Sequence, residues 1–214
     1  MRTPLALLAG LAALTTASHG ALSMVISEYM YGTKDASGLG EFVEFTNVSG
    51  SAIDMTGWSF DDSSATAGSF SLSSLGVVQP GESVIMTDAT AAAFRTAWGL
   101  AGTVNVIGGN TQNLGRADGI NLFDSSNTLI DSLSFDDQTI TGSFRTNGTS
   151  ASGDPSSYGS HNSALFVASA IGQPNVVTST GGDVGSPGFA VVPEASSLAI
   201  SALAGLGFLR RRRA

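Results

Sequence analysis

The sequence predicts an all-β domain of two layers with one short helix, and three observations lead there. From Leu22 onward, short β-prone runs alternate with clusters of Gly, Ser, Asn and Asp, the spacing of strands joined by tight turns. The run Glu41 to Asn47 is apolar on both faces in its middle, through Phe42, Val43 and Phe45, as an interior strand of a layered fold is. Of 214 residues 42% are hydrophobic and only 12% charged, and the mean hydropathy is +0.21, so a core can close. No cysteine is present. Packing and hydrogen bonds must therefore hold the fold, and thiolate metal sites and cysteine nucleophiles are excluded.

The first segment precedes the domain. Arg2, the apolar run Leu5 to Leu14 and the small-residue stretch up to Gly20 have the three parts of a secretory signal peptide, residues 1–20, with cleavage expected after Gly20. The domain proper then spans 22–137. Its strands are expected at Met24 to Tyr29, Glu41 to Asn47, Ile53 to Met55, Trp58 to Phe60, Ser69 to Leu72 and Ser83 to Thr87. The last of these is entered through the turn Gln79-Pro80-Gly81-Glu82, where Pro presets φ and Gly accepts a positive one. Asp88 is placed as the N-cap of a helix over Ala89 to Trp98 that closes one end of the sandwich. Phe94 and Trp98 form its buried stripe and Gly99 its stop. Ile120 to Phe123 and Leu129 to Phe135 then make a hairpin across the four residues Asp124 to Asn127.

Residues 138–191 change in character, being rich in Ser, Thr, Gly and Asn, and read equally as a last strand or as a flexible stalk. The chain ends, over 192–214, on Val192-Pro193-Glu194, an apolar stretch Ala195 to Leu209 and the run Arg210-Arg211-Arg212-Arg213. As a helix, that stretch reaches roughly 22 Å, less than the roughly 30 Å hydrocarbon core. It is a marginal anchor, oriented by arginines that stay on the cytoplasmic side. This order of motif, short helix and arginine cluster resembles the PEP-CTERM sorting signal of bacterial exported proteins, with Ala195 where that family has its second proline. The resemblance implies transient membrane insertion, processing by an exosortase-like protease, and a mature protein at the cell surface or outside the cell.

Without the two end segments, four basic residues face sixteen acidic ones, a formal charge of −12. Nucleic acid is excluded as a partner by that charge. Cations, neutral glycans and basic proteins are compatible with it.

Five pieces occur in a recognisable order: Ile26-Ser27-Glu28, Gly40-Glu41-Phe42-Val43-Glu44-Phe45-Thr46-Asn47, Ile53-Asp54-Met55-Thr56-Gly57-Trp58-Ser59-Phe60, Gln79-Pro80-Gly81-Glu82, and Asn113-Leu114-Gly115-Arg116-Ala117-Asp118-Gly119. Together they resemble the lamin tail domain. The resemblance implies an immunoglobulin-like β-sandwich, used in bacteria as an accessory module of secreted or surface proteins, and it does not imply an enzyme. The closing Gly185-Ser186-Pro187-Gly188 is similar to the end of many such modules.

Chemistry-bearing residues are few. His161 is the one histidine of the mature body and cannot complete a zinc site, so a Ser-His-Asp triad would have to use this loop residue. Glu41 and Glu44 are three apart and, on a strand, face opposite ways; Glu44 could meet Glu28 across strands, as hydrogen-bonding or surface charge. Ser-Phe-Asp-Asp occurs at 59–62 and again at 134–137. If the two strand ends meet, Asp61, Asp62, Asp136 and Asp137 could offer oxygen ligands to Ca²⁺, with Asp118 or Asp124 as further candidates. Asn47 and Asn147 stand in glycosylation sequons. The functional expectation is an exported, non-enzymatic sandwich sorted to the envelope or matrix, with an adhesive or structural role toward extracellular polysaccharide or surface proteins. The alternatives are a Ca²⁺-dependent glycan-binding module and an accessory domain of a secreted hydrolase or nuclease system.

Overall fold

The computed structural model describes residues 22–34 and 38–192. The signal-peptide reading of 1–20, and the sorting reading of Pro193 onward, lie outside them. The described chain is mostly β-sheet with one α-helix. Its strands are β1 (Met24–Met30), β2 (Phe42–Asn47), β3 (Ile53–Asp54), β4 (Ser59–Asp61), β5 (Phe70–Ser71), β6 (Val77–Val78) and β7 (Ser83–Thr87). After the helix α1 (Ala91–Trp98) come β8 (Asn105–Ile107), β9 (Ala117–Phe123), β10 (Leu129–Asp136), β11 (Ala151–Ser152), β12 (Val167–Ala168), β13 (Val177–Thr178) and β14 (Val184–Gly185). The larger sheet has the order β12-β11-β1-β2-β7-β8 and the smaller β10-β9-β4-β5, with β13-β14 and β3-β6 as separate ribbons.

Alternation along the central strands divides two cores. Met24, Ile26, Tyr29, Val43, Phe45, Val84 and Met86 pack with Phe60, Ile120, Leu122, Leu133 and Phe135 of the smaller sheet, forming the sandwich interior. Met30, Phe42 and Ile85 point the other way, against Phe94, Ala97 and Trp98 of α1. The helix therefore covers the outer face of the larger sheet and does not close an end of the sandwich. Its N-cap is Thr90, not Asp88: the Thr90 side chain accepts from the Ala93 N–H, and the helix starts two residues later than expected. Gly99 ends it in the left-handed conformation, φ 64°.

Pairing is antiparallel except between β7 and β8, which run parallel on either side of α1. The hairpin connection from β9 to β10 is five residues long, Asp124 to Thr128. The Asp124 carboxylate accepts from the Ser126 and Thr128 amides inside it. Beyond residue 137 the chain stays with the fold: β11 pairs with β1 and β12 with β11, so this stretch supplies the larger sheet with two more strands. Among the described residues no helix is long and apolar enough to cross a membrane.

Candidate functional site

A β-bulge decides what lies on the outer face of the larger sheet. The β1–β2 register shifts between Ile26 and Glu28, leaving Ser27 as the extra residue. Without it, Glu28 would follow Met24 and Ile26 into the sandwich interior. The shift turns Glu28 outward, directly opposite Glu44. The two carboxylates thus sit side by side on neighbouring strands, both fully buried.

Hydroxyls surround them. Ser83 and Thr46 hydroxyls lie 2.7 Å apart, Thr46 donates to Ser27 at 2.7 Å, and Ser27 donates to Glu44 Oε1 at 2.8 Å. On the other side Ser150 Oγ donates to Glu28 Oε1, and the Ser169 hydroxyl stands 2.8 Å from Ser150. The last described segment closes over the pair. Ser186 gives Glu28 its backbone N–H and its hydroxyl, both at 2.8 Å, and the Gly188 N–H reaches Glu44 Oε2 at 2.5 Å. Burial holds Glu28 above the ordinary carboxylate range, and burial together with the Glu28 charge pushes Glu44 up to about 8. Beside them a cleft of about 230 Å³ is lined by Ser27, Glu28, Ser152, Ser186, Phe189 and Val191. Glu41 serves elsewhere: it accepts from the Leu114 N–H at 3.1 Å, and burial raises it to about 7.

The aspartate clusters are not brought together. Asp61 lies on β4 opposite Asn121 of β9, while Asp136 ends β10 opposite Ala117, so β9 runs between the two Ser-Phe-Asp-Asp segments. The carboxylates are engaged locally, except that Asp61 Oδ1 is buried without a hydrogen-bond partner. Asp61 accepts from Ser64 Oγ and Thr66 N, Asp62 from Ser64 N, and Asp136 from Gln138 N and Thr139 Oγ1. Asp137 is paired in two-point fashion with Arg116. Asp118 accepts from Ser63, Gly115 and Gly119 amides. Among the described residues no three His, Cys, Asp or Glu side chains are grouped to hold a metal ion.

His161 lies near Ser132 and Asp131, but all its contacts converge on one ring nitrogen. Nδ1 is 2.7 Å from Ser132 O, 3.0 Å from Ser132 Oγ and 3.6 Å from Asp131 Oδ1. A triad needs the carboxylate and the hydroxyl on opposite nitrogens, and this geometry does not provide that. Asn47 is buried and spends its side chain on Ser51 O, Val78 O and Ser49, whereas Asn147 is exposed. Trp58 and Trp98 are both core residues. Of the sorting motif, Val192 is described and partly exposed; Pro193, Glu194 and Arg210 to Arg213 are outside the described residues.

Ser150, Ser169 and Ser186 escape sequence reasoning, since they lie in a Ser-rich stretch with no period. A signal for their targets did exist: Glu28 and Glu44 are each the lone acid of a mostly apolar strand.

The sequence pattern of the Lamin Tail Domain matches residues 17–137. No curated protein matches the chain. The matched region ends before β11, so Ser150, Ser169, Ser186 and Gly188 lie beyond it.

Proposed function

The chain belongs to the lamin tail domain family, and on that footing we propose that it is an exported, non-enzymatic β-sandwich held at the cell surface or in the extracellular matrix, where it acts by association. The order of segments carries the reading. An apolar run behind Arg2 precedes the domain, and Val192-Pro193-Glu194, a short apolar stretch and Arg210 to Arg213 follow it. An exosortase-like protease cuts near Val192-Pro193-Glu194 after the stretch Ala195 to Leu209 has entered the membrane with its arginines on the cytoplasmic side.

An associative role is supported by how the acidic groups are used. Glu28, Glu44 and Glu41, which burial shifts toward the neutral acid, are bound to backbone amides and hydroxyls of the fold itself. Contact with basic surface proteins or polysaccharide falls to the exterior, where the acids that are not buried still outnumber the basic residues and where Val167, Ile171, Val177, Phe189 and Val191 are exposed.

Terminal mass spectrometry on native protein, with cell fractionation, tests the reading. The expected result is an extracellular or surface form lacking residues 1–20 and ending near Glu194. Replacing Arg210 to Arg213 by Gln should leave unprocessed precursor. A cytoplasmic protein retaining Met1 and Ala214 overturns the proposal.

A further inference from the structure

Glu28 and Glu44 are buried together without a counterion. The ion pairs among the described residues are Arg116–Asp137 and His161–Asp131, and neither involves these glutamates. Two ionised carboxylates in such a place repel one another and lose their water; one proton bound by the pair removes half the charge. The lid over them is the segment 183–192, whose polar groups reach both carboxylates through Ser186 and Gly188. Gly185 lies so close that a Cβ would meet the Trp98 ring at 3.2 Å and Glu28 Oε1 at 3.1 Å. The far end is tied more lightly, by the Tyr158 hydroxyl donating to Val191 O at 2.8 Å.

We infer that residues 183–192 are a pH-gated latch, docked on Glu28 and Glu44 while the pair holds a proton and loosened as both become ionised. The purpose assigned to it rests on the processing reading above: the latch sets how firmly Val192, the first residue of the proposed processing motif, is held to the folded domain. Its sign follows from burial. The docked form keeps a proton on Glu44 up to about 8, whereas an opened, solvated glutamate releases it near its ordinary 4.5. Docking is therefore strongest below 4.5 and weakens up to about tenfold per pH unit as pH rises toward 8. Other titratable groups around the pair do not reverse this. Tyr158, from the loop after β11, stays protonated because burial raises it. Asp183, on the latch itself, accepts from Lys34 N at 2.6 Å. Arg95 of α1 directs its guanidinium to Val104 O.

Hydrogen–deuterium exchange of the full chain from pH 5 to 9, corrected for intrinsic rates, tests the latch. Protection of a peptide covering 183–192 should fall by up to about tenfold per pH unit and level off above about 8, while a peptide covering 42–47 stays protected. Glu44→Gln should flatten the profile, and Glu28→Gln serves if the first variant does not fold. A flat profile in the wild-type chain overturns the latch, as does a Gln variant as steep as wild type. A native protein ending at Ala214 overturns the processing reading and leaves the latch standing.

Discussion

Replacing Asp131 by alanine tests the corner where the two sheets meet. β11 pairs with β1 only at Glu28 and Tyr29, so the Ile26 N–H has no neighbouring strand on that side. It donates instead to Asp131 Oδ2 of β10 at 2.9 Å, and Asp131 Oδ1 accepts from the Ser132 N–H at 2.9 Å. Asp131 is 3% exposed, so alanine leaves the Ile26 amide buried without an acceptor. An orphaned buried donor costs about 1–3 kcal/mol. Burial also holds the Asp131 carboxyl above its ordinary range, a desolvation cost that alanine relieves. The net loss should be about 2 kcal/mol. Asp131→Asn keeps one acceptor for Ile26 but sets its NH₂ against the Ser132 N–H, and should lose about half as much. Urea unfolding at pH 7, followed by far-UV circular dichroism and tryptophan fluorescence, reads the difference. With a slope of about 2 kcal/mol/M, the alanine midpoint should drop by about 1 M. A drop below about 0.3 M, or an Asn variant as damaged as the Ala one, refutes the reasoning.

Three further outcomes follow from other parts of the fold. Phe94→Ala opens the core between α1 and the larger sheet, where Phe94 meets Phe42 and Trp98 edge-on or tilted, and should cost about 3–5 kcal/mol by chemical denaturation. Gly108→Ala would put a methyl 2.3 Å from Ala89 O and 2.5 Å from Ala91 N; because those atoms are backbone, the variant should lose about 1–3 kcal/mol or more and melt visibly earlier. Made in a glycosylating host, the protein should carry no glycan at Asn47, whose amide is buried and hydrogen-bonded, and intact-mass analysis with peptide mapping would detect one.

Legibility in the sequence followed the length and punctuation of the elements. β7 was plain because a Pro-Gly turn precedes five consecutive strand residues, and β2 because its apolar run begins just after Gly40. The end of α1 was plain through Gly99, but its start was not. Asp88 and Thr90 are both good capping types, and only the Thr90 hydrogen bond to Ala93 N decides between them. β8 went unread although Val104 to Ile107 follows a strand and a helix, the order that brings a parallel strand back to a sheet. β11, β12, β13 and β14 are two residues each, too short for any period to show. The pairing of Glu28 with Glu44 hangs on the bulge at Ser27, since a one-residue shift exchanges the faces of a strand. The repeated Ser-Phe-Asp-Asp misled for a topological reason: β4 and β10 both border β9, and so never border each other.

Glu28 is made early, and the groups that bury it are made late. Ser150 lies 122 residues further along the chain, and Ser186 lies 158. A chain emerging N-terminus first therefore carries β1 with one edge unclaimed, and its glutamate in water, until nearly the whole domain has been delivered. Closures over such sequence distances are slow, on the order of milliseconds to seconds for sheet-rich folds. The larger sheet completes only when the tail returns to the head.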